Sequence, residues 1–181
     1  MYEKKKLKLV KCNKSLQQKI DISINNYIYF TGNYIIYELN RIGKEYNDND
    51  ELIFEGEYLN GERNGRGKEY WYDGKLEFEG EYLNGKRNGK GKEYYGNGEL
   101  KFEGEYLNGK RNGKGKEYDD NGKLRFEGEY LNGKRNGKAK EYYDNGNLIF
   151  EGEYLNGKIW TGKGYDRLNN VEFELNDGKV L

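Results

Sequence analysis

The chain has 181 residues, the size of one domain, and its 32 basic residues balance 32 acidic ones. Zero net charge leaves no global field to draw it toward nucleic acid. Hydrophobic residues make up only 34% and charged residues 35%, too little Leu, Ile and Val for a thick core, yet 15% aromatics and no Pro set the chain apart from a disordered one.

The first segment, residues 3–22, carries Leu9, Cys12, Leu16 and Ile20 near one helical face, and Ser15 with Gln18 matches a capping box. Residues 1–28 are therefore expected to form a helical cap over the first hairpin, or a docking helix for another protein. The start MYEKKKLKLVK lacks a signal-peptide core, and no apolar stretch reaches the ~20 residues of a membrane span. An intracellular, cytoplasmic chain is expected, soluble or peripheral to a membrane. The lone Cys12 has no partner for an internal disulfide, in keeping with a reducing compartment.

Residues 29–181 form a repeat array of period 24. FEGEYLNG begins at Phe54, Phe78, Phe102, Phe126 and Phe150, and a worn copy places Phe30, Gly32 and Tyr34 one period earlier. In Leu100, Phe102, Gly104 and Tyr106, apolar or small residues alternate with Lys101, Glu103 and Glu105, the period-two signature of a half-buried strand. Asn108-Gly109 then supplies a tight turn with positive φ. A return strand carries Gly113 and Gly115 and ends in Lys116, Glu117 and Tyr118, with Tyr106 and Tyr130 expected to lie across its bare glycines. The DDNG of Asp119–Gly122 is a second turn, so each period holds two strands. The last copy shifts by one residue through Ile159 and Trp160, as a terminal repeat is expected to do. The implied fold class is an all-β array, an elongated single-layer antiparallel meander of β-hairpins, with repeats starting near residues 30, 54, 78, 102, 126 and 150.

The unit starting at Phe78, with Gly80, Tyr82, Gly85, Gly89, Gly91 and Gly98, resembles the MORN repeat, and Phe102, Gly104, Tyr106, Gly109, Gly113 and Gly115 repeat the pattern. Ala139 replaces the second strand glycine in the unit from Phe126. The segment Lys92–Leu100 is also similar to the repeats of YwqK-type antitoxin proteins. The likeness implies an elongated hairpin array acting as a scaffold, an oligomerisation element or a membrane-associated module.

With no His, and Ser only at positions 15 and 23, a Ser/His or Cys/His nucleophile pair is impossible, and one Cys excludes a structural zinc site. Glu pairs such as Glu103/Glu105 recur in every copy and read as a solvated face. Gly89, Lys90, Gly91 and Lys92 lack the following Ser or Thr of a phosphate loop. No enzyme, cofactor or metal is expected. The candidate site is a basic ridge at the hairpin tips: Lys86, Arg87 and Lys90, then Lys110, Arg111 and Lys114, then Lys134, Arg135 and Lys138. Its partner is another protein, a second copy of the chain or an anionic membrane surface, or the chain regulates an enzyme as antitoxins do; simple pairing with neighbouring Glu is the alternative. Consecutive Tyr94 and Tyr95 point to opposite faces and leave rings for a partner.

Overall fold

The computed structural model describes residues 27–30, 33–38 and 41–181. Among them the chain forms one open antiparallel sheet of 15 strands in sequence order. The strands are β1 (Tyr27–Phe30), β2 (Asn33–Tyr37), β3 (Ile42–Tyr46), β4 (Leu52–Leu59), β5 (Glu62–Tyr70), β6 (Leu76–Leu83), β7 (Lys86–Tyr94), β8 (Leu100–Leu107), β9 (Lys110–Tyr118), β10 (Leu124–Leu131), β11 (Lys134–Tyr142), β12 (Leu148–Leu155), β13 (Lys158–Tyr165), β14 (Val171–Asn176) and β15 (Lys179–Val180). At roughly 4.8 Å per strand the ribbon is ~65–70 Å long. The expected helical cap over 1–28 lies outside the described residues, apart from the start of β1. Among the described residues no helix is long and apolar enough to cross a membrane.

From β4–β5 onward each hairpin closes through two residues of left-handed backbone, for example Asn84 (φ 49°) and Gly85 (φ 76°), which matches the twist of the flanking strands. The far end of each unit turns through a loop such as Trp71–Lys75, where Asp73 Oδ1 accepts from the Lys75 N–H at 3.1 Å. The register within β6–β7 pairs Phe78 with Glu93, Gly80 with Gly91 and Tyr82 with Arg87. Asn88 and Gly89 are therefore extra on β7, and Gly89 takes φ 87°. The carboxylate left opposite this bulge closes it: Glu57 accepts the Arg66 backbone N–H at 3.0 Å in the preceding hairpin.

Glycine pairs line up across the sheet, Gly56 with Gly67, Gly67 with Gly80, Gly80 with Gly91 and onward. A Cβ on Gly80 would stand 2.7 Å from Gly91 Cα, so the two backbones approach as only glycines allow. The ring of Phe78 lies on this belt, its Cζ 2.5 Å from where a Gly91 Cβ would be. Tyrosines do meet strand glycines, Tyr130 pairing with Gly113 and Tyr106 reaching the Gly91 of the hairpin before, but the nearer cover is phenylalanine within its own hairpin. The reason is register, since Gly91 pairs with Gly80 and Gly104, two residues beyond each Phe.

The first unit departs from the alignment of Phe30 with Phe54. Phe30 ends β1 and Tyr34 lies in β2, while Ile35 pairs with Glu45 as Phe54 pairs with Glu69. Ile35, 6% exposed, takes the phenylalanine place. The last unit carries the expected one-residue shift, between Glu153 and Tyr154, and Ile159 there pairs with Tyr154 where other units have arginine.

Candidate functional site

Phe54, Phe78, Phe102, Phe126 and Phe150 are fully buried in a sheet only one layer thick. Glycine backbone lies beneath the rings, joined by Ala139 under Phe126, and tyrosine rings close both sides of the first four edge-on, while Phe150 meets Tyr154. Phe78, for instance, meets Tyr82 at 5.7 Å and Tyr106 at 5.3 Å between centroids, with ring planes at 88° and 86°. The fourth wall is arginine. Arg87 Cζ stands 4.0 Å above the Phe78 ring, and Arg63, Arg111 and Arg135 repeat the contact at 3.9–4.1 Å.

Each of these arginines is held by two carboxylates from different hairpins. Arg111 donates to Glu93 at 2.8 Å and to Glu117 at 2.7 Å, Arg63 bridges Glu45 and Glu69, and Arg87 and Arg135 do likewise with Glu69 and Glu93, and with Glu117 and Glu141. The outcome is an unbroken Glu-Arg-Glu chain from Glu45 to Glu141. Tyrosine hydroxyls add to it, Tyr106 donating to Glu93 at 2.5 Å and Tyr130 to Glu117 at 2.8 Å. Burial opposes the charge of Glu93 and Glu117, but the hydrogen bonds and charge of their arginines outweigh it and hold both carboxyls below the ordinary glutamate value. This face is sealed by its own side chains.

The opposite face is open. Alternation from Glu69, on the ring face, puts Lys68 and Glu55 on the other side, and a ladder crosses the sheet there: Glu55, Lys68, Glu79, Lys92, Glu103, Lys116, Glu127, Lys140, Glu151. Lys140 reaches Glu151 at 3.0 Å and Lys116 reaches Glu127 at 3.6 Å. A second row pairs Lys90 with Glu105, Lys114 with Glu129 and Lys138 with Glu153. Tyrosines of the KEY segments brace the ladder: Tyr94 donates to Glu79 and Tyr118 to Glu103, at 2.7 and 2.8 Å. Burial and these carboxylates push both phenols up to about 12. Between the rows runs a groove of about 1440 Å³, floored by the glycine backbone and lined from Ile42 on β3 to Gly162 on β13.

The nine residues of the basic ridge therefore occupy three places. Arg87, Arg111 and Arg135 cover phenylalanines on the sealed face. Lys90, Lys114 and Lys138 line the groove. Only Lys86, Lys110 and Lys134 stay at the hairpin ends, exposed and paired across the strands with Leu83, Leu107 and Leu131. Alternation separates residues that stand side by side in the sequence: Arg87 pairs with Tyr82, so it shares the ring face. Tyr94 and Tyr95 are both half-buried, and the Tyr95 hydroxyl donates to the Tyr118 carbonyl at 2.8 Å. The interlocking role of the Glu of each KEY segment escapes sequence reading, because its arginine lies 18 residues away in the next hairpin. Among the described residues no cluster of three His, Cys, Asp or Glu fits a metal ion.

Among curated proteins none matches the sequence. Two solved structures of TarM match at a low level. A variant of S. aureus TarM in complex with fondaparinux, α-GlcNAc-glycerol and UDP is 14% identical at a TM-score of 0.32, and the match covers 83% of this chain and 24% of that one. A second TarM structure gives 14% identity and a TM-score of 0.30 over 80% and 24%. The chain thus spans about a quarter of TarM, and likeness at this level says nothing about what it binds. The MORN repeat model matches residues 54–75 and 78–99, and the model of the MORN repeat variant matches 111–132 and 135–159, together half of the chain. With the phenylalanine, glycine and tyrosine positions of those repeats now placed in one hairpin ribbon, a fold compatible with a binding or scaffold role, the chain belongs to the MORN repeat family.

Proposed function

We propose that the chain is a non-catalytic scaffold that holds a partner protein along its groove face. What supports the reading is the asymmetry of the two faces. One face spends its aromatics and arginines on itself, whereas the other offers a groove of about 1440 Å³ continuous over the repeats. Its lining of glutamates and lysines at fixed spacing suits an interface read by charge complementarity. The same residues return in every unit, which fits repeated binding contacts and not one reactive centre.

The test is affinity capture from the native cell with two folded baits. The wild-type ribbon should retain a partner that is lost when Glu79, Glu103 and Glu127 become Lys, with circular dichroism unchanged. A capture set that ignores this reversal, or no retained protein at all, overturns the reading.

A further inference from the structure

On the groove side of the sheet, Glu79, Glu81 and Leu83 alternate along β6, so the groove rim at the hairpin ends is a row of leucines and lysines, with Glu62 in the lysine place beside Leu59. Leu83, Leu107 and Leu131 stand 48%, 48% and 49% exposed. Between them on alternate strands stand Lys86, Lys110 and Lys134, exposed and engaged in no ion pair among the described residues. This differs from the rest of the groove face, where lysines have carboxylates directly across. The rim is also held in fixed register. The Gly109 N–H donates to the Arg87 carbonyl at 2.8 Å and the Asn108 N–H to Asn88 Oδ1 at 3.4 Å, and the Gly133 N–H and Asn132 N–H repeat both bonds.

We infer that this rim binds an acidic polypeptide in the polyproline II conformation that carries an apolar residue at every third position. This deepens the scaffold reading and rests on it. Spacing decides the conformation. Successive leucines are two strands apart, about 9.6 Å. A polyproline II chain laid across the strands returns to the same face every three residues, about 9.3 Å. An α-helix returns after seven residues, about 10.5 Å, and a β-strand after two, about 6.7 Å. From Leu59 to Leu155, four repeats, the polyproline II chain slips by only about 1 Å, whereas a helix slips by more than 3 Å. Chemistry decides the charge. Each rim lysine brings three donors and no acceptor. A polyproline II backbone leaves its carbonyls unbonded, and acidic side chains supply the matching charge.

The probe is a labelled synthetic peptide of five Pro-Glu-Leu triplets, titrated by fluorescence anisotropy. Micromolar binding is expected, weakened by about tenfold or more when Leu83, Leu107 and Leu131 become Ser, or when Lys86, Lys110 and Lys134 become Glu. These six side chains are exposed, so the variants should keep the wild-type circular dichroism. Replacing leucine by alanine in the peptide should cost as much. No binding by the triplet peptide, or equal binding by a helical acidic peptide with leucine at every seventh position, overturns the inference. So does flotation with anionic phosphatidylserine vesicles in place of peptide binding, which would assign the rim to a lipid surface. Loss of the triplet peptide with native capture intact and still sensitive to the Glu79, Glu103 and Glu127 reversal would sink the rim assignment alone. Capture indifferent to that reversal would sink the scaffold reading.

Discussion

At Ala139 the chain carries its own mutagenesis experiment. The equivalent glycines, Gly67, Gly91 and Gly115, leave no room for a Cβ beneath their phenylalanines, yet Ala139 sits beneath Phe126 and both are buried. The ring accommodates it by tilting: Phe126 and Tyr130 meet at 70°, where the matching pairs of the other units meet at 86–89°. Gly91→Ala should therefore cost only about 1 kcal/mol in urea unfolding. Gly80→Ala faces backbone, Gly91 Cα and the Lys90 carbonyl at 2.7 Å, which cannot tilt away, and should cost more than about 3 kcal/mol. Equal costs would refute the distinction. Removing a guanidinium is a different injury, since Arg111→Ala uncovers Phe102 and strands two carboxylates, and a loss of about 3 kcal/mol is expected. Arg111→Lys should recover little of it, because an ammonium cannot fork to Glu93 and Glu117 while lying flat on the ring.

The hairpin is the element at which sequence and structure agree most closely, because its determinants are local. Asn-Gly at each tip, alternation along FEGEY and two turns per period suffice to specify the strands. What lies between hairpins is hidden from the sequence. Glu93 meets Arg111 across 18 residues, and Ile35 enters the phenylalanine place because strand pairing, not repeat alignment, sets its register. The ridge dissolves for a related reason, since adjacent residues of a strand face opposite ways. Titration should expose the inter-hairpin links. Glu93 and Glu117 have lowered folded pKa values, so their contribution is fully present above the ordinary value of 4.5 and is lost progressively as pH falls below it through the lower folded value. Acid unfolding monitored by near-ultraviolet circular dichroism should begin there, and Glu93→Gln with Glu117→Gln should flatten the dependence at lower overall stability. Tyr94 and Tyr118 are raised, so their contribution holds below pH 10 and is lost between 10 and about 12. Phenylalanine at both positions should remove that alkaline step.

At the scale of the sheet, each described hairpin pairs with the hairpins beside it, so stability is a sum of unit and interface terms along one dimension. Among the described residues the sheet is bounded by short strands, β1 and β15, and the last holds only Lys179 and Val180. Excising residues 94–117 removes one full period and joins Glu93 to Tyr118, restoring the register of every remaining pair. That shortened chain should melt as one cooperative transition, whereas excision of one residue more or fewer should not, because it turns a strand over.

The arginine that borrows one carboxylate from its own hairpin and one from the hairpin before it makes each junction chemically the same as the next. Duplication or loss of a whole block by slippage of the underlying coding repeat then leaves no seam. The ribbon behaves as a ruler whose length heredity can adjust in steps of ~10 Å without inventing a new contact.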